Sequence, residues 1–241
     1  MASQKMNYTT KIACLKAIYE FFDEFIKGLP MACEPGCDVC CSVNVAVTSL
    51  EVDYMVDHMD MTQKSNLENI LPEILLEPHY RPSYTTNEMA AACLNMQDEL
   101  PKERSEHGKG KCPLLNHGLC NIYDYRPFAC RAMLSQTKCA SDTSAYMSDF
   151  LVTVALSIYQ IIEQLDEGNP YGNMLDLLAK SLNIESEHNP LITCKPLPGF
   201  VPMPEEKGRF NSFLKRLYRK KVGETETSLG EILGLPSTLS I

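Results

Sequence analysis

The chain has no apolar run of the roughly 18 residues that a membrane-spanning helix needs, so no membrane partner is expected. Its first residues, Met-Ala-Ser-Gln-Lys-Met-Asn-Tyr, lack the apolar centre and small-residue cleavage site of a secretory signal. Gly-x-Gly-x-x-Gly, the P-loop, Gly-x-Ser-x-Gly and His-Glu-x-x-His are all missing, which leaves nucleotide and hydrolase readings without support. No internal repeat is visible. Basic residues are in deficit, 22 against 31 acidic, and a net charge of −9 has the wrong sign for a general nucleic-acid binder. The expected setting is a reducing cytoplasm, where clustered cysteines mean metal or catalysis rather than disulfides.

What remains is ordinary except in one respect. With 241 residues and 44% apolar content, the chain can bury a sizeable core unaided. Helical periodicity dominates: segments 9–27, 64–76, 142–165 and 173–183 each put apolar residues at three- and four-residue steps. Thr48 with Glu51, and Thr85 with Glu88, are capping-box pairs that predict helices over 48–58 and 86–100. Residues 42–47 alternate as a short strand does. Gly118 suits the turn of a small hairpin within 114–122, and Pro127 suits the start of a short helix reaching Leu134. The expected fold is mainly α, a helical domain with a small cysteine-rich β or loop subdomain for metal. Residues 1–204 form the single helical domain, with the cysteine site at 33–135; residues 205–241 form a basic amphipathic helix and tail.

The exceptional feature is 11 cysteines. Four fall within Cys33-x3-Cys37-x2-Cys40-Cys41, and three more follow at Cys112, Cys120 and Cys130. Gaps of two and three residues let one loop fold its sulfurs around one centre. Bound thiolates leave residual negative charge, and Arg126 and Arg131 flank Cys130, so these two arginines are the candidate cofactor-binding residues. Cys130 also falls in the first helical turn, which favours a thiolate. Neighbouring side chains on an extended strand point apart. Unless a turn intervenes, Cys40 and Cys41 therefore suggest two metals, or one ligand with a supporting neighbour. Seven thiolates are one short of two tetrahedral sites; a bridging thiolate, His117 or Cys139 could supply the eighth ligand. Cys14, Cys93 and Cys194 are expected to be packing residues, and His58, His79, His107 and His188 surface or structural ones.

The arrangement resembles the YkgJ-type cysteine-cluster family, to which a zinc- or iron-chelating role is assigned. The matching elements are Cys33-x3-Cys37-x2-Cys40-Cys41, Cys112-Pro-Leu-Leu, Gly118-Leu-Cys120-Asn-Ile-Tyr123 and Arg126-Pro127-x2-Cys130-Arg131, spanning about 33–135. The resemblance implies that Cys33, Cys37, Cys40, Cys41, Cys112, Cys120 and Cys130 hold metal. A related cluster in flagellin lysine methylases implies an iron–sulfur centre. The expected cofactor is thus an iron–sulfur cluster, [4Fe-4S] favoured, with Zn²⁺ as the alternative. The first would serve electron transfer with a protein partner or support a protein-modifying reaction; the second would make a structural interaction module. Cys33-x3-Cys37-x2-Cys40 also has the radical-SAM spacing, an enzyme alternative that the shortage of strand-like runs disfavours.

Overall fold

Local signals set most of the helix starts. In the computed structural model, which describes residues 6–34, 36–97, 99–139, 145–185 and 191–234, α1 spans Tyr8–Ile26 and begins where Asn7 accepts from Thr10 N. Strand β1 (Ala46–Thr48) runs into α2 (Ser49–His58), opened by the Thr48/Glu51 capping box. Helix α3 (Met61–Ile74) starts three residues earlier than the periodicity predicts, because Asp60 and Gln63 make a capping box of their own. Helix α4 (Thr86–Leu94) starts at the Thr85/Glu88 box but stops short of residue 100, since Met96 takes a left-handed φ of 50° and the helix cannot continue through it.

The central part carries the site. Strands β2 (Leu115–Asn116) and β3 (Leu119–Cys120) form the expected hairpin. His117 and Gly118, at φ 51° and 79°, both take the left-handed conformation that such a two-residue turn requires. Helix α5 (Phe128–Ala132) follows, with Pro127 as its cap. Helix α6 covers Asp149–Leu165 rather than 142–165. Residues 142–144 lie outside the described residues, and Gln136 N donates to Tyr146 O, so the chain before α6 pairs with a loop instead of coiling.

Strand β4 (Pro170–Asn173) leads into α7 (Met174–Ser181), and β5 is Ile192–Thr193. The sheet order is β1-β4-β5, antiparallel throughout. The sequence reading had neither β4 nor β5; their pairing is long-range, and Pro170 and Gly172 give them a poor strand signature. The basic segment forms α8 (Lys207–Tyr218), and α9 (Leu229–Leu233) starts at a Ser228/Glu231 capping box in the unassigned tail. The fold is mainly α.

Two apolar clusters result. One packs α1, α5, α6 and α8 through Phe22, Phe128, Ile158, Phe210 and Leu217, all fully buried. Basic residues of this segment are turned to account internally: Lys220, just past α8, reaches Glu20 and Glu24 on α1, and Arg209 on α8 lies 3.7 Å over the Phe150 ring. The other cluster joins α2, α3 and α7 to the hairpin region through Met55, Leu71, Leu114, Ile122 and Leu175. Cys112 and Cys120 pack on its edge. No helix among the described residues is long and apolar enough to cross a membrane.

Candidate metal centre

The cysteine segments owe their positions to main-chain bonds rather than to regular structure. Main-chain bonds from Cys37 N to Glu34 O and from Cys41 N to Asp38 O shape the first cysteine segment. Cys112 N donates to Cys41 O at 3.3 Å, beside an antiparallel bridge between Ser42 and Lys111. That pairing closes the 70-residue separation that the sequence left open. Asn44 holds it: its Nδ2 donates to Gly108 O at 2.7 Å, and its Oδ1 accepts from Gly108 N and Tyr80 N. A side chain at Gly108 would collide with Pro78 O, which is why glycine stands there. The hairpin then sets Leu115 opposite Cys120.

Cys130 comes from α5, and α5 is tied to α2 by Glu51. The Oε1 atom of this buried carboxylate accepts from Phe128 N at 2.8 Å and Tyr19 OH at 2.9 Å, while Oε2 accepts from Thr48 N and Oγ1. Burial pushes the Glu51 carboxyl above its usual range, and these donors pull it part of the way back. Phe128 packs edge-on against Phe22 and Tyr159, each at 4.9 Å, so the helix that bears Cys130 is built into the main core.

All seven predicted cysteines, 33, 37, 40, 41, 112, 120 and 130, line one cavity of about 630 Å³. Arg126 lines it too, stacked 3.8 Å over the Tyr123 ring at the mouth. Apolar groups, among them Leu114, Ile122, Leu156, Tyr159 and Met174, make up much of the remaining wall. All eleven cysteines are free thiols. Among the described residues, no three His, Cys, Asp or Glu side chains yet stand close enough together to hold an ion as they are; the sulfurs ring the cavity.

Several expectations change here. Arg131 does not line the cavity: Nη1 pairs with Asp23 at 2.7 Å, Nε and Nη2 donate to the carbonyls of Arg126 and Asp124, and the guanidinium covers the Tyr19 ring. It braces the segment that carries Cys130. Cys40 and Cys41 do not diverge as on a strand. They sit in a turn closed by Cys41 N to Asp38 O, and the interaction between the two neighbours holds the Cys41 thiol low and the Cys40 thiol high. Cys130 is pushed well up, because burial and the charges of Cys112 and Cys120 outweigh Arg126. Its helix start does not make it a free thiolate.

Of the cysteines assigned to packing, Cys14 and Cys194 are buried, but Cys93 is exposed on the outer face of α4. His58 stacks on Tyr54 and Tyr125, His79 bonds Asp176, His107 stacks on Tyr80, and His117 occupies the hairpin turn; none of the four lines the cavity. His188 lies outside the described residues. Asn44 and Ser135 carry no signal in the sequence, and Glu51 is legible there only as a helix cap. Only the glycines at 108 and 110, just ahead of Cys112, signalled a close backbone approach there.

The donor set suits a thiophilic metal. Ser135 N donates to Cys33 Sγ at 3.3 Å, and the amides of Leu114 and Ile122 donate to the sulfurs of Cys112 and Cys120, each two residues back. Such bonds stabilise thiolates and orient them as ligands. Without metal, burial pushes Cys112 up to about 11, and it raises Cys33 and Cys120 as well, so these three sulfurs keep their protons until a cation displaces them. No curated protein and no solved structure matches the chain. A family model described as "CxxCxxCC: Putative zinc- or iron-chelating domain" matches residues 32–148. The first gap here holds three residues, Glu34 to Gly36, against two in the family's name. The matched segment contains every cysteine of the cavity, and it is over residues 32–148 that the chain is similar to the CxxCxxCC domain.

Proposed function

We propose that the thiols of Cys33, Cys37, Cys40, Cys41, Cys112, Cys120 and Cys130 hold an iron–sulfur centre that passes electrons to or from a protein partner, or supports a modification of one. The observation that carries this is the convergence of all seven on one cavity of about 630 Å³. Four thiolates about 2.3 Å from a single zinc ion close tightly around it; a chamber this wide suits a polynuclear centre. Such a centre supplies one-electron chemistry when bound. The protein's own part is to exclude water with Leu114, Ile122 and Met174, and to offset thiolate charge with amide donors and Arg126. Leu119, Tyr123, Met133 and Leu156 are each about half exposed or more and all line the cavity, which fits docking of a protein partner close to the centre. Eleven free thiols fit a reducing compartment, the cytoplasm.

The test is iron, zinc and acid-labile sulfide analysis of protein purified without oxygen, together with its visible spectrum. Iron and sulfide in similar amounts are expected, falling in Cys37→Ser and Cys120→Ser. Zinc without sulfide would replace this reading with a closed structural site. Unchanged metal in both variants would overturn the shared-ring model.

A further inference from the structure

The cavity reaches well beyond its cysteines. Its volume of about 630 Å³ lies within the roughly 300–1,000 Å³ of small-molecule sites. Part of its lining comes from elements that carry none of the seven cysteines: Ala46 from β1, Thr86 at the start of α4, Leu156 and Tyr159 from α6, Tyr171 from β4 and Met174 from α7. We infer that this wall binds a small, neutral, mostly apolar organic molecule, whose carbonyl oxygen accepts a hydrogen bond from the Tyr159 hydroxyl. The site goes beyond the metal-binding reading and does not depend on it.

The wall is already in place. Strands β1 and β4 are paired, with Ala46 opposite Asn173 and Thr48 opposite Tyr171. Asn87, next to Thr86, ties α4 to α6: its amide donates to Glu163 at 2.8 Å, and its Nδ2 donates to Gln160 O at 3.1 Å. Phe128 meets the Tyr159 ring edge-on at 4.9 Å and fixes its attitude. Tyr171 and Met174 are buried. An apolar ligand therefore meets a surface that needs little ordering on binding.

The chemistry of the lining selects the ligand. Tyr159 is half-buried, and among the described residues its hydroxyl makes no hydrogen bond, which leaves one donor for a guest. The Tyr171 hydroxyl, by contrast, lies beside Thr86. Phenols titrate at about 10 and so keep their proton at neutral pH, where a carbonyl is a suitable acceptor. Apart from the cysteines, the charged lining residues are Glu34, which is exposed, and Arg126, stacked over Tyr123 at the mouth. Neither comes from this wall. An ion placed against it would give up water with no opposite charge in return, whereas an apolar body covers Ala46, Leu156 and Met174.

Equilibrium dialysis of the full-length protein, purified without oxygen, tests this with three probes of similar shape: 2-acetylnaphthalene, 2-ethylnaphthalene and 2-naphthoate. The ketone is expected to bind one to one and about tenfold more tightly than the hydrocarbon, the worth of one hydrogen bond to a donor kept from water. The anion is expected to bind weakest. Tyr159→Phe is expected to bring the ketone down to the hydrocarbon and to leave the hydrocarbon unchanged. Should that variant fail to fold, the wild type answers by itself: the ketone is expected to slow amide exchange in 155–160 and 170–174. Equal binding of ketone and hydrocarbon, tightest binding of 2-naphthoate, a preference that survives Tyr159→Phe, unchanged exchange in those segments or no binding would each overturn the site. Each of these leaves the metal-binding reading standing. A protein that binds the ketone but carries no metal would overturn that reading and support this one.

Discussion

The helical cluster of α1, α5, α6 and α8 and the cysteine loops at 33–41 and 108–139 are held by different physics. The first is close-packed by aromatic side chains: Phe22 against Phe128, and Phe213 against Phe21 and Phe25 at 5.6 and 5.2 Å. The second has one two-residue hairpin, a short helix and many main-chain bonds between loops, around an open cavity. The difference teaches where metal matters. Packing of the first kind needs nothing further, whereas loops that bury few side chains depend on an added crosslink to stay ordered.

The largest way to break that contrast is through the packing. Phe22→Ala removes a fully buried ring and is expected to lower unfolding free energy by about 3–5 kcal/mol in denaturant titration. Metal should be lost as well, because Phe128 then loses the ring that seats α5. Next comes Glu51→Ala, which leaves the Phe128 amide, the Tyr19 hydroxyl and Thr48 without their buried acceptor. A loss of about 2–3 kcal/mol is expected, with metal content reduced because Cys130 is no longer fixed. Full metal content in this variant would show that Glu51 does not position Cys130.

Removing metal sharpens the comparison from the other side. Chelation under reducing conditions should leave the far-ultraviolet helical signal nearly unchanged. It should speed amide hydrogen exchange in 33–41 and 108–139, read by mass spectrometry. Equal acceleration in α1 and α6 would show that the two regions are not separable.

A smaller effect belongs to pH. Asp176 is buried, which alone would raise its carboxyl, but hydrogen bonds and charge from His79 and Arg81 win and hold it below the usual value. A lowered folded-state pKa gives stability that is present above the ordinary carboxylate value and is lost as pH falls through the folded one. Asp176→Asn is therefore expected to destabilise at pH 7 by about 1–2 kcal/mol and to converge with the wild type only as pH falls below the lowered folded-state value, in thermal melts. The smallest expected effect is that of Arg126→Gln: metal content unchanged, reduction potential lowered because a cation beside the centre is gone, as voltammetry would register.

The sequence alone determined which cysteines are candidates for the chemistry and where most helices begin, because both are written in short-range signals. Cysteine gaps of two and three residues are local, and so are the Thr48/Glu51 and Thr85/Glu88 boxes, the two-residue turn at Gly118 and the apolar stripe of α6. The Ser228/Glu231 box was equally legible and would have located α9. The early start of α3 was legible too, in Asp60 and Gln63.

Only tertiary structure decided how these parts meet. Cys41 beside Cys112, Ser135 beside Cys33, Arg131 turned to Asp23 and Glu51 seated under Phe128 are contacts between residues far apart in the chain. So is the high proton affinity of Cys130, which its place at a helix start argued against. A helix end and two nearby arginines favour charge by modest amounts, whereas loss of water around a buried sulfur opposes it by more, and burial is a property of the whole fold.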